Sequence, residues 1–202
     1  MAGGSASISE NMPEGLKALM SRSNAADWSP RPVDNWNPPF CGDLDIRIAR
    51  DGTWYYLGSP IHREALVKLF ASVLRKDEDG KHYLVTPVEK VGITVDDAPL
   101  LAVEMAVSGE GKNKVLTVRT NLGDLLAVGE EHPLRFEKEQ GSDGLKPYIH
   151  VRGRLEARFT RALTYQLADM LEEHDGVNGP ELGLWSSGRY FSVDPDLLIV
   201  SE

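Results

Sequence analysis

The sequence predicts an α+β protein of two packed halves with a similar strand-strand-helix-strand order. Three observations carry that expectation. Short runs of alternating apolar and polar residues recur along the chain, bounded by Gly, Pro, Asn or Asp. Two apolar stripes at helical spacing each follow a strand pattern and a glycine, one through Leu66, Leu69, Phe70, Val73 and Leu74, the other through Leu155, Phe159, Ala162, Leu163, Leu167, Met170 and Leu171. A chain of 202 residues can bury a core as one large domain or two small ones. The expected division is an N-terminal arm over 1–40, a first α+β domain over 41–99 and a second over 100–202.

Taken in order, residues 1–12 are small and polar. Ser9–Ser23 predicts a short helix with Pro13 near its start and Met12, Leu16, Leu19 and Met20 toward one side. The connector Trp28–Phe40 holds four prolines before Phe40, which preclude a regular helix. Burial of Trp28, Trp36 and Phe40 would pin it to the body. Leu44, Ile46 and Ile48 alternate with Asp45, Arg47 and Ala49 as a half-buried strand. Asp51-Gly52 turns the chain, and Thr53–Leu57 returns. Ser59 is placed to cap a helix that starts at Pro60 and runs to about Arg75. Strands follow at His82–Thr86 and Val91–Val95.

The second half opens with strands at Leu100–Val107 and Lys114–Arg119, then Leu125–Val128 and Leu134–Lys138. Tyr148–Val151 reads as a strand, Gly153 as a break, and the residues from there to Leu171 as a long helix. On that helix Arg154, Arg158, Arg161 and Tyr165, at steps of four, three and four, share one face. HDGVNGPELG reads as a loop before strands at Leu184–Ser186 and Arg189–Val193. An internal repeat is suggested by matching Gly58 with Gly153 and Arg63 with Arg158, while the apolar stripes prefer a register two residues longer.

Net charge is −9, and no large segment is basic. General nucleic-acid binding and attraction to anionic membranes are therefore disfavoured, since both need a positive field. A small anion held by a few arginines remains allowed. Cys41 is the only cysteine and reads as a buried small hydrophobe. A single cysteine permits no intrachain disulfide and fits a reducing cytoplasm. No run is long and apolar enough for a signal peptide or membrane span. No metal set or cofactor motif is present, and a homo-oligomer is compatible with the sequence.

The arginine row is the leading chemical feature. Cations in the first turns of a helix oppose its dipole, which makes sense if carboxylates or a ligand anion neutralise them. The opposing view is a set of solvated or ion-paired arginines. Thr86–Lys90 and Thr120-Asn121 are polar clusters at strand ends. They fit either a binding loop or plain turn chemistry. Asp96 and Asp97 form an adjacent acidic pair. Several look-alikes fail: Ala106–Asn113 lacks the ends of a phosphate loop, and Leu184 stands where a nucleophile elbow over Trp185-Ser186-Ser187-Gly188 needs glycine.

The ordered series CGDLDIRIARDGTWYYLGSPIHREALVKLFASVLRKDEDGKHYLVTPVEK, VDDAPL, TNLGD, YIHVRGRLEARFTRALTYQL and WSSGRYF resembles the bacterial domain of unknown function family 1285, over residues 28–195. The resemblance implies a duplicated α+β core whose second half is a curved antiparallel sheet like a pleckstrin-homology barrel. It also implies a ligand site between the halves, for an anionic or nucleotide-like molecule, and a role in bacterial signalling. Arg63, Thr86, Glu89, Lys90, Asp96, Thr120, Asn121, Arg152, Glu156, Arg158 and Arg161 lie in the matching segments and form the candidate set. The expected function is a non-enzymatic ligand-binding regulatory protein. The alternative is a module that binds a peptide through the curved sheet or the Trp/Pro arm. Catalysis, with Glu89 or Asp96 as base, ranks last, because no nucleophile–base pair or metal set accompanies them.

Overall fold

The computed structural model describes residues 12–22, 30–139, 144–176 and 179–197. The expectations for residues 1–11, for Trp28 and for the end of the tail lie outside them. The chain divides into two compact units, residues 1–97 and 98–202.

The first unit opens with helix α1, Glu14–Arg22, directly after Pro13. Its sheet comprises β1 (Phe40–Ile48), β2 (Trp54–Tyr56), β3 (Ser59–Pro60), β4 (Leu74–Lys76), β5 (His82–Val85) and β6 (Lys90–Val95), with helix α2 (Glu64–Ser72) between β3 and β4. The order across the sheet is β3-β2-β1-β6-β5-β4. Two antiparallel meanders are joined by the parallel pair β1–β6. As the alternation predicts, Ile46 and Ile48 are buried. Trp54 stacks with Phe70 of α2 at 6.3 Å, and Leu74 and Leu84 complete the core.

Helix α2 is shorter than the sequence predicts. Leu57 and Gly58 both take positive φ, so the chain folds back and Ser59-Pro60 pairs with Tyr55-Tyr56 instead of starting the helix. The helix begins only after Arg63 and ends at Ser72; Val73 and Leu74 are buried, as the stripe requires, but by the turn into β4. Cys41 is exposed, not buried, because it takes the outward register of β1 opposite to Ile46 and Ile48. Phe40 is also exposed, at 55%, and meets Tyr83 in a T-shaped contact.

Trp36 is half-buried and Val33 buried, and an arginine fastens the connector further. Arg75 Nη1 donates to the carbonyls of Val33 and Trp36, both at 2.8 Å, while Nε reaches Asp77 Oδ1 at 2.6 Å. Lys90 Nζ meets the second Asp77 oxygen at 3.0 Å and lies over the Tyr83 ring. Burial works against the charge on Asp77, but its bonds to Arg75 and Lys90 outweigh that and hold its pKa below the usual value.

The second unit contains β7 (Leu100–Ser108), β8 (Val115–Thr120), β9 (Leu125–Ala127), β10 (Leu134–Lys138), β11 (Leu145–Arg152) and β12 (Leu155–Phe159), then helix α3 (Arg161–Ala168). The sheet order is β10-β11-β12-β7-β8-β9, with β12 and β7 parallel, and the sheet curls into a half-barrel. Read from β9, this is the order of the first unit: third, second, first, sixth, fifth, fourth. The repeat is therefore real in topology but not in the predicted register. The strands beginning at 40, 54, 59, 74, 82 and 90 correspond to those beginning at 100, 115, 125, 134, 145 and 155. The helices occupy different slots, after the third strand in one unit and after the sixth in the other.

The predicted long helix from Gly153 is the largest correction. Leu155, Ala157 and Phe159 are buried while Glu156 and Arg158 point the other way, so this stretch is a strand paired with β11 through a turn at Gly153. Leu155 and Phe159 satisfy a period of two as well as one of four, and pairing on both edges selects the strand. HDGVNGPELG is not a loop throughout. β13 (Glu172–Gly176), β14 (Gly179–Ser186) and β15 (Arg189–Ser192) form a three-stranded meander. Ser186 fastens it: its Oγ accepts the Leu116 N–H at 3.0 Å and donates to the Val128 carbonyl at 2.8 Å.

Replacing Arg75 with Met removes four part-buried bonds, two to the connector and two to Asp77. It is expected to lower the stability of the first unit by about 2–4 kcal/mol in denaturant unfolding.

Candidate functional site

The turn from β5 to β6 closes on itself. Thr86 donates its N–H to the Glu89 carbonyl at 2.9 Å, and its Oγ1 accepts from the Val88 and Glu89 amides at 3.4 and 3.2 Å. This leaves Pro87 and Val88 exposed and turns Glu89 inward, 8% exposed. There Glu89 Oε1 accepts the N–H of Leu16 at 2.9 Å. Leu16 is the third residue of α1, so a carboxylate meets the positive end of a helix dipole. Thr86 and Glu89 are thus brought together, with the chain's own N-terminal helix between them and solvent.

The remaining first-unit candidates are dispersed. Arg63 is the exposed N-cap of α2, and its carbonyl accepts the amides of Leu66 and Val67. Lys90 belongs to the Arg75–Asp77 network. Asp96 pairs with Arg47 at 2.7 Å.

In the second unit Thr120 is fully buried; its Oγ1 donates to Asp124 at 2.7 Å and accepts the amides of Leu122 and Asp124. Asn121 accepts the Leu101 N–H through Oδ1 at 3.0 Å and donates its own N–H to the Leu101 carbonyl at 2.8 Å. Both residues do turn chemistry and fasten β7 to the end of β8. Arg152 ends β11, half-buried. Glu156 takes a bidentate pair from Arg135, whose Nη2 lies 2.6 Å from Oε2. Arg135 also stacks over Tyr148 at 4.1 Å, and the bond to Glu156 raises its pKa. Tyr148 and Arg158 are cross-strand neighbours on this same face.

The arginine row does not survive as a row. Arg154 lies in the β11–β12 turn and Arg158 on β12; only Arg161 and Tyr165 are on α3. Arg161 Nε and Nη2 donate to Tyr165 Oη at 3.2 and 3.1 Å, and Tyr165 is 59% exposed. The N-cap Thr160 makes no side-chain bond to the helix. This corner combines a guanidinium, an exposed phenol ring and a helix start without a side-chain cap.

Sequence reasoning passed over Arg75, Asp77 and Arg135. The alternation of Leu134–Lys138 does place Arg135 and Glu137 on one polar face. Which strand supplies Glu156 is a matter of sheet order, invisible locally. His82 is buried on β5; desolvation, with a smaller push from Lys76, lowers its pKa to about 4. Among the described residues no group of three or more His, Cys, Asp or Glu could hold a metal ion, and no helix is long and apolar enough to cross a membrane.

Two family models match the chain: the N-terminal domain of DUF1285, a domain of unknown function, over residues 31–98, and the DUF1285 C-terminal domain over 99–193. A crystal structure of a DUF1285 family protein from Silicibacter pomeroyi DSS-3 is 48% identical, with a TM-score of 0.80 over 90% of this chain and 95% of that one. A second, from Shewanella baltica OS155, is 30% identical, with a TM-score of 0.47 over 61% of this chain and 90% of that one. No curated protein matches the chain.

His82 is neutral in both folded and unfolded chains above its ordinary pKa of 6.5. Below it the unfolded chain takes up a proton that the folded chain refuses until about pH 4. Stability is therefore lost as pH falls through that window, by about 3 kcal/mol at its end. His82→Gln is expected to flatten the acid limb of stability against pH, measured by urea unfolding.

Proposed function

The chain belongs to the DUF1285 family, and we propose that it is a non-enzymatic, ligand-binding regulatory protein of the bacterial cytoplasm. Its ligand is a small phosphorylated, nucleotide-like anion, taken at the start of α3 in the second unit. One observation carries the reading: Arg161 stands against the exposed Tyr165 where α3 begins without a side-chain cap. A phosphate there meets a guanidinium and the positive end of a helix, and the phenol ring offers a flat surface to a base.

Each of the two acids that could serve as a catalytic base is already engaged, Glu89 by the Leu16 amide and Asp96 by Arg47. That supports binding over catalysis. The Pro-rich connector is held down by Arg75, which supports a small ligand over a partner docked on the arm.

Full-length protein is expected to gain thermal stability with nucleoside phosphates at millimolar concentration. Arg161→Ala should weaken binding of every phosphate compound about tenfold or more, as loss of a charge-assisted contact does. Tyr165→Ala should weaken nucleotides but not inorganic phosphate. No stabilisation by any anion, with both variants folding normally, would refute the reading.

A further inference from the structure

We propose that the Thr86–Glu89 turn is a socket for the start of a helix, and that α1 is its exchangeable occupant. Three features shape the socket. Glu89 is buried, yet its carboxylate is directed at a backbone amide. Amides without a helical partner are presented by the first turn of a helix, so the acceptor selects a helix start. Gly15, the second residue of α1, is the second feature. A Cβ there would stand 2.6 Å from Thr86 Oγ1 and 2.8 Å from Glu89 Oε1, so a side chain at that position would force Thr86 or Glu89 out of place. Third, Leu16 is fully buried and Met12 is 3% exposed, which provides an apolar grip beside the polar one. The fitting partner is a helix with glycine at its second position and a large aliphatic residue at its third.

Exchange follows from how short α1 is and from where its grip stops. Nine residues are too few for a helix to persist alone, so its structure depends on the socket. Leu19 and Met20 are only half-buried. The helix lies ahead of residues 31–98, the part that matches the family model. The turn is closed by Thr86 and the Glu89 backbone, independently of α1. When α1 leaves, the socket stays formed, with Glu89 at its mouth, and accepts the same segment, residues 12–22, supplied by a second molecule.

Hydrogen exchange of the full-length protein tests this without any substitution. Amides of α1 are expected to exchange about 100-fold or more faster than those of Tyr83–Val85, through an opening that leaves β5 closed. Equal protection of α1 and β5 would overturn the proposal. In Gly15→Val the added side chain should expel α1, leaving β5 protected. A fluorescent peptide of residues 12–22 should then bind that variant and not the wild-type chain, whose tethered helix competes at high effective concentration. Adding Glu89→Ala should weaken the peptide at least about fivefold. No binding to Gly15→Val, or binding indifferent to Glu89, also overturns it; should Gly15→Val unfold, the wild-type exchange comparison decides alone.

Discussion

Each six-stranded sheet is closed by a parallel pairing between its first and last strands, β1 with β6 and β7 with β12. A parallel pair cannot be made by a hairpin, so everything between the two strands must leave the middle of the sheet and return to it. Two meanders on either side of the central pair satisfy that condition in both units. The pairing also sets local chemistry. In the first unit Gly92 of β6 lies under Asp43 of β1, where a Cβ would come 2.1 Å from the carboxylate, and the register shifts on both sides of Asp43. In the second unit the pairing draws Leu155–Phe159 into the sheet, and α3 starts only after β12 ends. The arginines are therefore distributed by sheet closure, not by helix periodicity.

Most strands were legible because their signal is local. Leu134–Lys138 and the strand at Leu100 stand where alternation and turn residues put them, and Pro13, Asp51-Gly52 and Gly153 mark real boundaries. The errors arose where two periods fit the same residues. Leu155 and Phe159 are four apart and also even-spaced, and propensity did not separate the cases. Ser59-Pro60 has the signature of a helix start, but the positive φ at Leu57 and Gly58 commits it to a strand. The repeat was misread for a related reason: the helices resemble one another in apolar pattern, while the strands carry the duplication.

The candidate residues Thr86, Glu89, Thr120 and Asn121 stand at strand ends and turns, as their sequence context indicates, but their individual roles were illegible. Thr86 and Thr120 each fold a turn around their own hydroxyl, and Asn121 fastens a strand. These are the structural uses that polar residues at strand ends commonly serve. Glu89 is different, because its partner comes from 73 residues away in the chain. No local pattern announces that a buried carboxylate will receive a helix start. The glycine that makes room for it, Gly15, is conspicuous only once Thr86 and Glu89 are seen beside it. Arg161 is informative for the opposite reason: its bonds run to Tyr165, a neighbour on the same helix turn, and both remain at the surface.

The proposed function requires Arg161, Tyr165 and the start of α3 to form one anion-reading corner of the second unit. The most direct measurement is an amide-resolved NMR titration of the full-length protein with a nucleoside triphosphate. Shift changes concentrated on residues 158–166, and saturating together with a single Kd, are the predicted result. Changes confined to other segments, or none at saturating nucleotide, would contradict it.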